Sequence, residues 1–327
     1  MKPKRLSIIV PVYNVEPYIA KCLTSIYSQD VPFDTYDVVI VNDGTKDNSM
    51  SIVSKYMHQY SNITIINQEN KGLSEARNAG LKIADGQYIW FIDSDDWIEK
   101  DVLKKLYQLI DKYEADVYAT PLNRVKDDIN IGNDFSIADN ILIKGKNYLF
   151  ENLPYGASPR FILKRDFLLV NNLKFRPNLL HEDGEFGPKM LYLANDIYIM
   201  SNSIYNYRLR SSGSIMSSWK KKNSEDLICI HKDLAIFCTN MIEDINDKRK
   251  FNVIIFNTLR VSILFAKDQW QTKEFKEFYN EYKNYIKEKA CSNINRFTFK
   301  HFGFKVFFSY ILIYINPIFF YKCKNLL

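Results

Sequence analysis

Residues 37–44 of the chain read DVVIVNDG, an apolar run that ends in a turn signal. A short, nearly continuous run of Val and Ile is typical of a strand that is buried on both faces of a sheet. Similar runs recur along the first 120 residues, and apolar residues at helical spacing fill the intervals between them. The predicted strands are Leu6–Val12, Asp37–Val41, Ile63–Ile66, Tyr88–Ile92 and Asp116–Thr120, and the predicted helices are 16–29, 49–60, 73–84 and 102–113. This alternation predicts an α/β fold with a mostly parallel central sheet flanked by helices.

The rest of the chain divides into two parts. Residues 121–215 show short strand and helix signals without a clear period, whereas helical spacing dominates after Ser217. A chain of 327 residues is long enough for about two domains. We therefore predict one domain over 1–217 and a helical C-terminal region over 218–327, with helices over 224–241, 248–266 and 272–289.

Composition excludes several classes of protein. Apolar residues make up 46% and charged residues 25%, which is the ordinary globular balance and excludes intrinsic disorder. The five cysteines are widely spaced without a Cys-x-x-Cys pair, which excludes a zinc ribbon and a disulfide framework. The net charge of +6 is modest, so we predict no nucleic-acid partner.

The two termini bear on location. The first residues, MKPKR, are not followed by the apolar core of a signal peptide, which predicts a cytoplasmic protein. The segment Val306–Tyr321 is strongly apolar, but it is shorter than the roughly 20 residues that span a bilayer. With lysines and no acidic residue from Lys300 onward, it fits a peripheral, interfacial helix that touches the inner face of the membrane through 300–321. A buried terminal helix is the alternative.

Two carboxylates follow the fourth predicted strand. Asp93 and Asp95 are two residues apart, so on a strand they would point to the same side. Parallel sheets bind ligands beyond the carboxyl ends of their strands, and paired carboxylates suit Mg²⁺ or Mn²⁺ bound together with a phosphate. The next residues, Asp96 to Glu99, have the spacing of a capping box and predict the start of a helix.

Three other positions could carry chemistry. Asp43 could accept a hydrogen bond from a nucleotide base, or it could simply form the Asp-Gly turn. Lys71 and Arg77 flank a predicted helix N-terminus, where a phosphate would be stabilised, although Arg77 could equally be a solvated helix residue. The run 181–185, HEDGE, offers a histidine and three carboxylates, and it could equally be a solvated loop.

Four segments together resemble the family 2 glycosyltransferases of bacterial surface-polysaccharide type, which are inverting nucleotide-sugar enzymes with the GT-A fold. The segments are Ile9–Asn14, Val41–Asp47, Asn70–Gly80 and Phe91–Trp97. The likeness is dense over 5–115 and weaker to about 215, where it runs through Glu182-Asp183 and Tyr207-Arg208. It implies a GT-A domain over 1–217, with a nucleotide half over 1–120 and an acceptor half over 121–217.

On the nucleotide side, the resemblance assigns the base to Asp43 and to the loop after the first strand, with Pro11 and Tyr13. It places Asp93 beside the ribose and phosphate, and it makes Asp95 the ligand of a divalent metal, Mn²⁺ or Mg²⁺. Lys71 and Arg77 join this donor-binding set. Asn42 stands where the family often has a second Asp.

On the acceptor side, the resemblance makes Asp183 the general base, with Glu182, His181 and Arg208 around the acceptor. His181 departs from the family, in which many members have Thr or another small residue at that position. Glu182, Glu185 and, more weakly, His181 are rivals of Asp183 for the base.

The implied reaction moves a sugar from a nucleotide-diphosphate sugar, with UDP the most frequent carrier in the family, to a hydroxyl of a glycan or lipid-linked glycan. Capsule, exopolysaccharide or O-antigen synthesis would be the setting. Three alternatives stay open: a nucleotidyltransferase that makes a nucleotide sugar, a hydrolase with paired carboxylates, and a non-catalytic nucleotide-sugar-binding module. The first usually brings a glycine-rich basic loop after the first strand, whereas residues 13–16 here are YNVE.

Overall fold

The computed structural model describes residues 4–151, 154–210, 219–264, 269, 271–292, 308, 311–313 and 315. Its contacts group the chain into two compact units. The first comprises Met1–Asn178 and Met190–Arg210, and the second comprises Leu179–Lys189 and Ser211–Leu327. The segment Leu179–Lys189 thus groups with the C-terminal helices, whereas the sequence assigned it to a domain over 1–217.

The first 120 residues alternate strands and helices as predicted. The elements are β1 (Leu6–Val12), α1 (Ile19–Tyr27), β2 (Tyr36–Asp43), α2 (Ser49–Gln59), β3 (Ile63–Gln68), α3 (Leu73–Ile83), β4 (Tyr88–Phe91), β5 (Trp97–Ile98), α4 (Leu103–Tyr113) and β6 (Val117–Ala119). The two-residue strand β5 and a 3-10 turn at Phe33–Thr35 have no counterpart in the prediction.

The less regular region supplies shorter elements. They are β7 (Leu122–Lys126), β8 (Ile129–Asn133), β9 (Ile141–Ile143), α5 (Gly145–Phe150), β10 (Phe161–Lys164), α6 (Arg165–Val170), α7 (Asp183–Leu193), β11 (Ile197–Ile199) and β12 (Tyr205–Arg208). One sheet has eight strands in the order β3-β2-β1-β4-β10-β6-β11-β9, and a second has four in the order β5-β12-β7-β8. Four of the seven pairings in the larger sheet are parallel, which confirms the mostly parallel prediction.

Helices cover both faces of the larger sheet. Ile8 and Val10 belong to one buried cluster with residues of α1 and α4. Ile9 points the other way and lies against Gly80 of α3. Every residue of β1 is buried, which fits a sequence that is apolar on both faces apart from Ser7.

A crevice is expected where the strand order reverses, between β1 and β4. The chain runs from β1 outward through β2 and β3, and it returns to the other side of β1 as β4. The β1–β4 ladder ends at Ile9 and Phe91, whereas β1 stays paired with β2 as far as Val12. Pro11, which has no N–H to offer a ladder, occupies the stretch of β1 beyond β4. In α/β sheets such a reversal is where ligands bind.

The capping-box prediction at Asp96 is wrong. Helix α4 begins at Leu103, and the residues after Asp96 form β5, which pairs with β12. The Asp96 carboxylate instead accepts hydrogen bonds from the Tyr205 hydroxyl and from Arg208 N. Partners more than 100 residues away therefore override the local capping signal.

The second unit contains the start of α7 and three long helices, which confirms the helical prediction for its described residues. The helices are α8 (Lys221–Met241), α9 (Ile245–Leu264) and α10 (Lys273–Ser292). Their shared core includes Phe256, Leu259 and Phe278, all at most 2% exposed.

Most of the predicted membrane segment 300–321 lies outside the described residues. Of its described residues, Leu312 and Ile313 are buried in the core of the helical unit, while Ile315 is 60% exposed. Over the described part of the chain, no helix has both the length and the apolarity needed to cross a bilayer. The membrane contact stays a prediction.

Candidate active site

The loops after β1 and β2 are bound together through the carboxylate of Asp47. It accepts hydrogen bonds from Glu16 N at 2.8 Å, from the Thr45 hydroxyl at 2.8 Å and from the Ser49 hydroxyl at 2.6 Å. Burial raises the pKa of Asp47, but the hydrogen bonds from Ser49, Glu16 and Thr45 outweigh it and bring the pKa to about 2. Tyr13, at the start of the first loop, is 44% exposed, so its aromatic ring is accessible on a loop that the Asp47 hydrogen bonds hold in place.

Asp43 fixes the entry into α3. Its buried carboxylate accepts hydrogen bonds from Gln68 Nε2 at 2.7 Å, Lys71 N at 2.8 Å and Gly72 N at 2.9 Å. A carboxylate can accept about four hydrogen bonds, so roughly one position remains. Its contact with a base stays a prediction, and the protein contacts add a structural role that the sequence did not reveal. Lys71 itself has an exposed side chain.

Arg77 lies beneath Asp93. The Arg77 side chain is 1% exposed, its Nη2 lies 2.8 Å from Asp93 Oδ1, and its guanidinium carbon lies 5.0 Å from the centre of the Phe175 ring. The alternative of a solvated helix residue is therefore wrong. Arg77 holds Asp93 in place, and its predicted contact with the donor remains untested.

The turn after β4 is held from β12. The Tyr205 hydroxyl accepts a hydrogen bond from Asp93 N at 3.2 Å and lies 2.8 Å from Asp96 Oδ2. Arg208 N donates to Asp96 Oδ1 at 2.7 Å. Burial, together with the charges of Asp95 and Asp93, raises the pKa of Asp96 well above its ordinary range. Asp96 is thus a buried support for the two carboxylates that precede it.

Asp95 is surrounded by two arginines. Its carboxylate forms an ion pair with Arg210, and its backbone carbonyl accepts a hydrogen bond from Arg208 Nε at 2.9 Å. The guanidinium carbon of Arg208 lies 4.7 Å from the ring centre of Trp97. Arg208, which the resemblance assigned to the acceptor, therefore lies beside the predicted metal ligand, and its acceptor role stays a prediction. No sequence motif pointed to Arg210.

The residues of this site fit a divalent cation that arrives with a phosphate. Asp93 and Asp95 offer hard oxygen atoms, and the Arg210 guanidinium shows that a positive charge is accommodated at Asp95. Among the described residues no group of three or more His, Cys, Asp or Glu side chains could hold a metal by itself. Phosphate oxygens and waters would have to complete the coordination, as is usual for Mg²⁺ in phosphate-binding sites.

The predicted acceptor motif lies in the second unit, at the start of α7. Asp183 is the first residue of that helix, and the backbone of the preceding His181 has a φ of 62°. The segment is bound to α8, because Asp226 accepts a hydrogen bond from Leu180 N at 2.9 Å and Asn223 Nδ2 lies 3.3 Å from His181 Nε2. Burial lowers the pKa of His181 more than the charges of Asp226 and Asp183 raise it.

The two glutamates that rival Asp183 are both buried. Glu185 is buried and forms an ion pair with Lys189 one turn later. Glu182 is 6% exposed. The structure thus gathers Asp43, Lys71, Arg77, Asp93, Asp95 and Arg208 in the first unit, with Pro11 and Tyr13, and it gathers His181, Glu182 and Asp183 in the second.

The chain is similar to known glycosyltransferases. The family model described as Glycosyl transferase family 2 matches residues 7–169. The chain is 33% identical over 263 residues to the glycosyltransferase GlyA of Streptococcus pneumoniae, covering 72% of this chain but only 35% of that protein. It is 28% identical to the glycosyltransferase GlyG of the same organism, covering 75% of this chain and 88% of GlyG.

A solved structure shares the fold over nearly the whole length. TarS 1–349 of Staphylococcus aureus in complex with UDP-GlcNAc superposes with a TM-score of 0.74 at 21% identity, covering 98% of this chain and 92% of that one. That likeness shows the fold, a GT-A domain followed by C-terminal helices. The four sequence motifs of the first unit and the matching family model together assign the chain to a family. The chain belongs to the family 2 glycosyltransferases.

Proposed function

We propose that this enzyme transfers a sugar from a UDP-sugar to a hydroxyl group of a bacterial surface glycan or of its lipid-linked precursor, with inversion at the anomeric carbon. The observation that carries the proposal is the pair Asp93 and Asp95, which follows the carboxyl end of β4. Asp93 is held by the buried Arg77, and Asp95 is paired with the guanidinium of Arg210. UDP as the carrier is supported by the UDP-GlcNAc bound to TarS.

The donor nucleotide would lie along the crevice. Tyr13 is exposed and can cover the base, beside Pro11, and the remaining acceptor position of Asp43 can take a base N–H. Asp93, oriented by Arg77, would receive the ribose. The Lys71 side chain stands at the N-terminus of α3, where a helix favours phosphate.

Asp95 would hold the divalent cation, Mn²⁺ or Mg²⁺, with Asp93 nearer the ribose. When bound, the cation offsets the negative charge that develops on the departing diphosphate. Asp95→Asn should abolish transfer and also the cation dependence of UDP binding. Full activity of the wild-type enzyme in EDTA would contradict the assignment.

Asp183 would be the general base. The acceptor oxygen belongs to an alcohol, which needs a carboxylate within hydrogen-bond reach to remove its proton. Asp183 is the first residue of α7, and its side chain is half-buried. Glu182 and Glu185 are both buried, whereas Asp183 is only half-buried and more accessible to an acceptor, which supports Asp183 over both rivals.

The test of the base compares matched variants. Loss of a general base typically slows a reaction by about 10² to 10⁴, so Asp183→Asn should lower kcat by that factor while UDP affinity stays near the wild-type value. Glu185→Gln is the control. If Glu185→Gln or Glu182→Gln shows the large loss and Asp183→Asn does not, the base is that glutamate.

The reaction itself is tested by screening nucleotide sugars. Thermal shift with Mn²⁺ identifies the donor, and slow hydrolysis of that donor should release UDP only when the cation is added. Nucleotidyl transfer would release pyrophosphate from a nucleoside triphosphate instead, and a pure binding module would release nothing.

We also propose that residues 300–321 bring the enzyme to anionic lipid at the inner membrane face. Because Leu312 and Ile313 contribute to the helical core, the test should spare them. Replacing Lys300 and Lys305 by Gln should reduce pelleting with acidic vesicles and leave donor hydrolysis unchanged. A wild-type protein that never pellets with such vesicles would favour the buried-helix alternative.

A further inference from the structure

Two arginines at the end of the first unit contact Asp95 in different ways. Arg208 is held at several points, by the backbone carbonyl of Asp95, by the ring of Trp97 and by the carboxylate of Asp128 at 3.6 Å. Within the described part of the chain, Arg210 is held by the Asp95 carboxylate and by the ring of Tyr18, whose centre is 5.1 Å from its guanidinium carbon. Among the described residues, the guanidinium of Arg210 therefore has fewer contacts than that of Arg208.

Arg210 pairs with one of the two carboxylate oxygen atoms of the predicted metal ligand. Its Nη2 pairs with Oδ2 of Asp95, and both side chains are largely shielded, with 20% of Arg210 and 17% of Asp95 exposed. A divalent cation on that oxygen would be repelled by the positive charge of the adjacent Arg210 guanidinium. In a partly shielded site, such a repulsion is screened less than on an open surface.

We infer that Arg210 and the divalent cation compete for the carboxylate of Asp95, so that Arg210 weakens cation binding to the nucleotide-free enzyme. The inference rests on the proposed function, because it takes Asp95 as the cation ligand. Its consequence is an order of events: the cation binds poorly alone and binds well once a diphosphate supplies further negative charge and a new partner for the displaced guanidinium.

The test measures binding, not turnover. Mn²⁺ is titrated into nucleotide-free enzyme, and the free ion is followed by its electron paramagnetic resonance signal. Arg210→Gln should bind Mn²⁺ up to about fivefold more tightly than wild type, the upper end of what a partly exposed ion pair contributes. Arg124→Gln, which removes an exposed arginine of β7, is the matched control and should bind like wild type.

Further variants separate the inference from the metal assignment. Arg210→Lys keeps the charge but loses the planar fork, so its affinity should lie between those of wild type and Arg210→Gln, and it provides a reading if Arg210→Gln folds poorly. If Asp95→Asn binds Mn²⁺ as well as wild type does, the proposed cation ligand is wrong. If Asp95→Asn loses Mn²⁺ while Arg210→Gln and Arg210→Lys match wild type, the cation ligand stands and the competition is refuted.

Discussion

Replacing Arg77 by methionine removes the buried guanidinium that holds Asp93, while it keeps most of the volume of the side chain. The pair joins Arg77, which is 1% exposed, to a carboxylate that is 24% exposed. Removing one partner of a fully buried pair costs about 3–5 kcal/mol. Because water reaches a quarter of Asp93, we expect Arg77→Met to lower the free energy of unfolding by about 2–3 kcal/mol.

The same change should weaken the donor site. Asp93 without Arg77 is no longer fixed toward the crevice, so UDP affinity should fall together with stability. A double-mutant cycle isolates the pair: urea unfolding of Arg77→Met, of Asp93→Asn and of the double variant should give a coupling energy of about 2 kcal/mol.

A second arginine offers the control. Arg165 is half-buried and donates to an uncharged group, the carbonyl of Ala84, at 2.7 Å. Arg165→Met should therefore cost less than Arg77→Met and leave UDP affinity unchanged. A coupling energy below about 0.5 kcal/mol between Arg77 and Asp93 would refute the reasoning, because distant sites commonly show that much.

Three further changes have defined outcomes. Gly80→Ala would bring a Cβ atom to 2.3 Å from Ile9 Cγ2, and such overpacking should cost about 1–3 kcal/mol in thermal or urea unfolding. Gly44→Ala forces a residue with a side chain to a φ of 70°, and it should weaken UDP binding in calorimetry by disturbing the turn beside the base pocket. Burial lowers the pKa of His231 to about 4, although its hydrogen bond to the Ile255 carbonyl opposes this. Stability is therefore complete above the unfolded pKa of about 6.5 and falls by up to about 3 kcal/mol as the pH drops toward 4, a loss that His231→Gln should remove.

Each of these has a contrary result. An alanine at position 80 that leaves the melting temperature unchanged would mean that α3 can move away from β1 freely. Unchanged UDP affinity at position 44 would separate that turn from the base pocket. Equal acid sensitivity of the wild type and of His231→Gln would assign the pH dependence to other groups.

Sequence reasoning predicted the elements of the nucleotide half because their signals are local. The apolar run of β1 and the helical spacing of α4 depend on residues within one element, and both appear close to the predicted bounds. The paired carboxylates were found because they directly follow a buried strand, although β4 ends at Phe91 and both lie in the turn beyond it, where strand periodicity no longer applies.

The errors concern contacts between distant residues. Asp96 carries a local capping signal, but Tyr205 and Arg208 bind its carboxylate from β12. Arg77 looks like any exposed helix residue in sequence, yet its guanidinium lies beneath Asp93. No periodicity within one element could reveal either contact, because each depends on which strands and helices become neighbours.

The segment Met190–Arg210 returns to the first unit after the chain has contributed Leu179–Lys189 to the second. It brings β11 into the large sheet and β12 into the small one, and it supplies Tyr205, Arg208 and Arg210. A fragment that ends where the family match ends, at residue 169, would therefore lack the support of its own carboxylates.

The same arrangement determines the order in which the parts of the site are synthesised. Asp96 leaves the ribosome 109 positions ahead of Tyr205, a gap of roughly 5–20 s at bacterial and eukaryotic elongation rates of about 5–20 residues per second. Throughout that interval the nascent sheet carries three neighbouring carboxylates without the strand that later binds them. The donor site is thus among the last features of its unit to form. A chain that ends before β12 would have an incomplete four-stranded sheet and would not be a working enzyme.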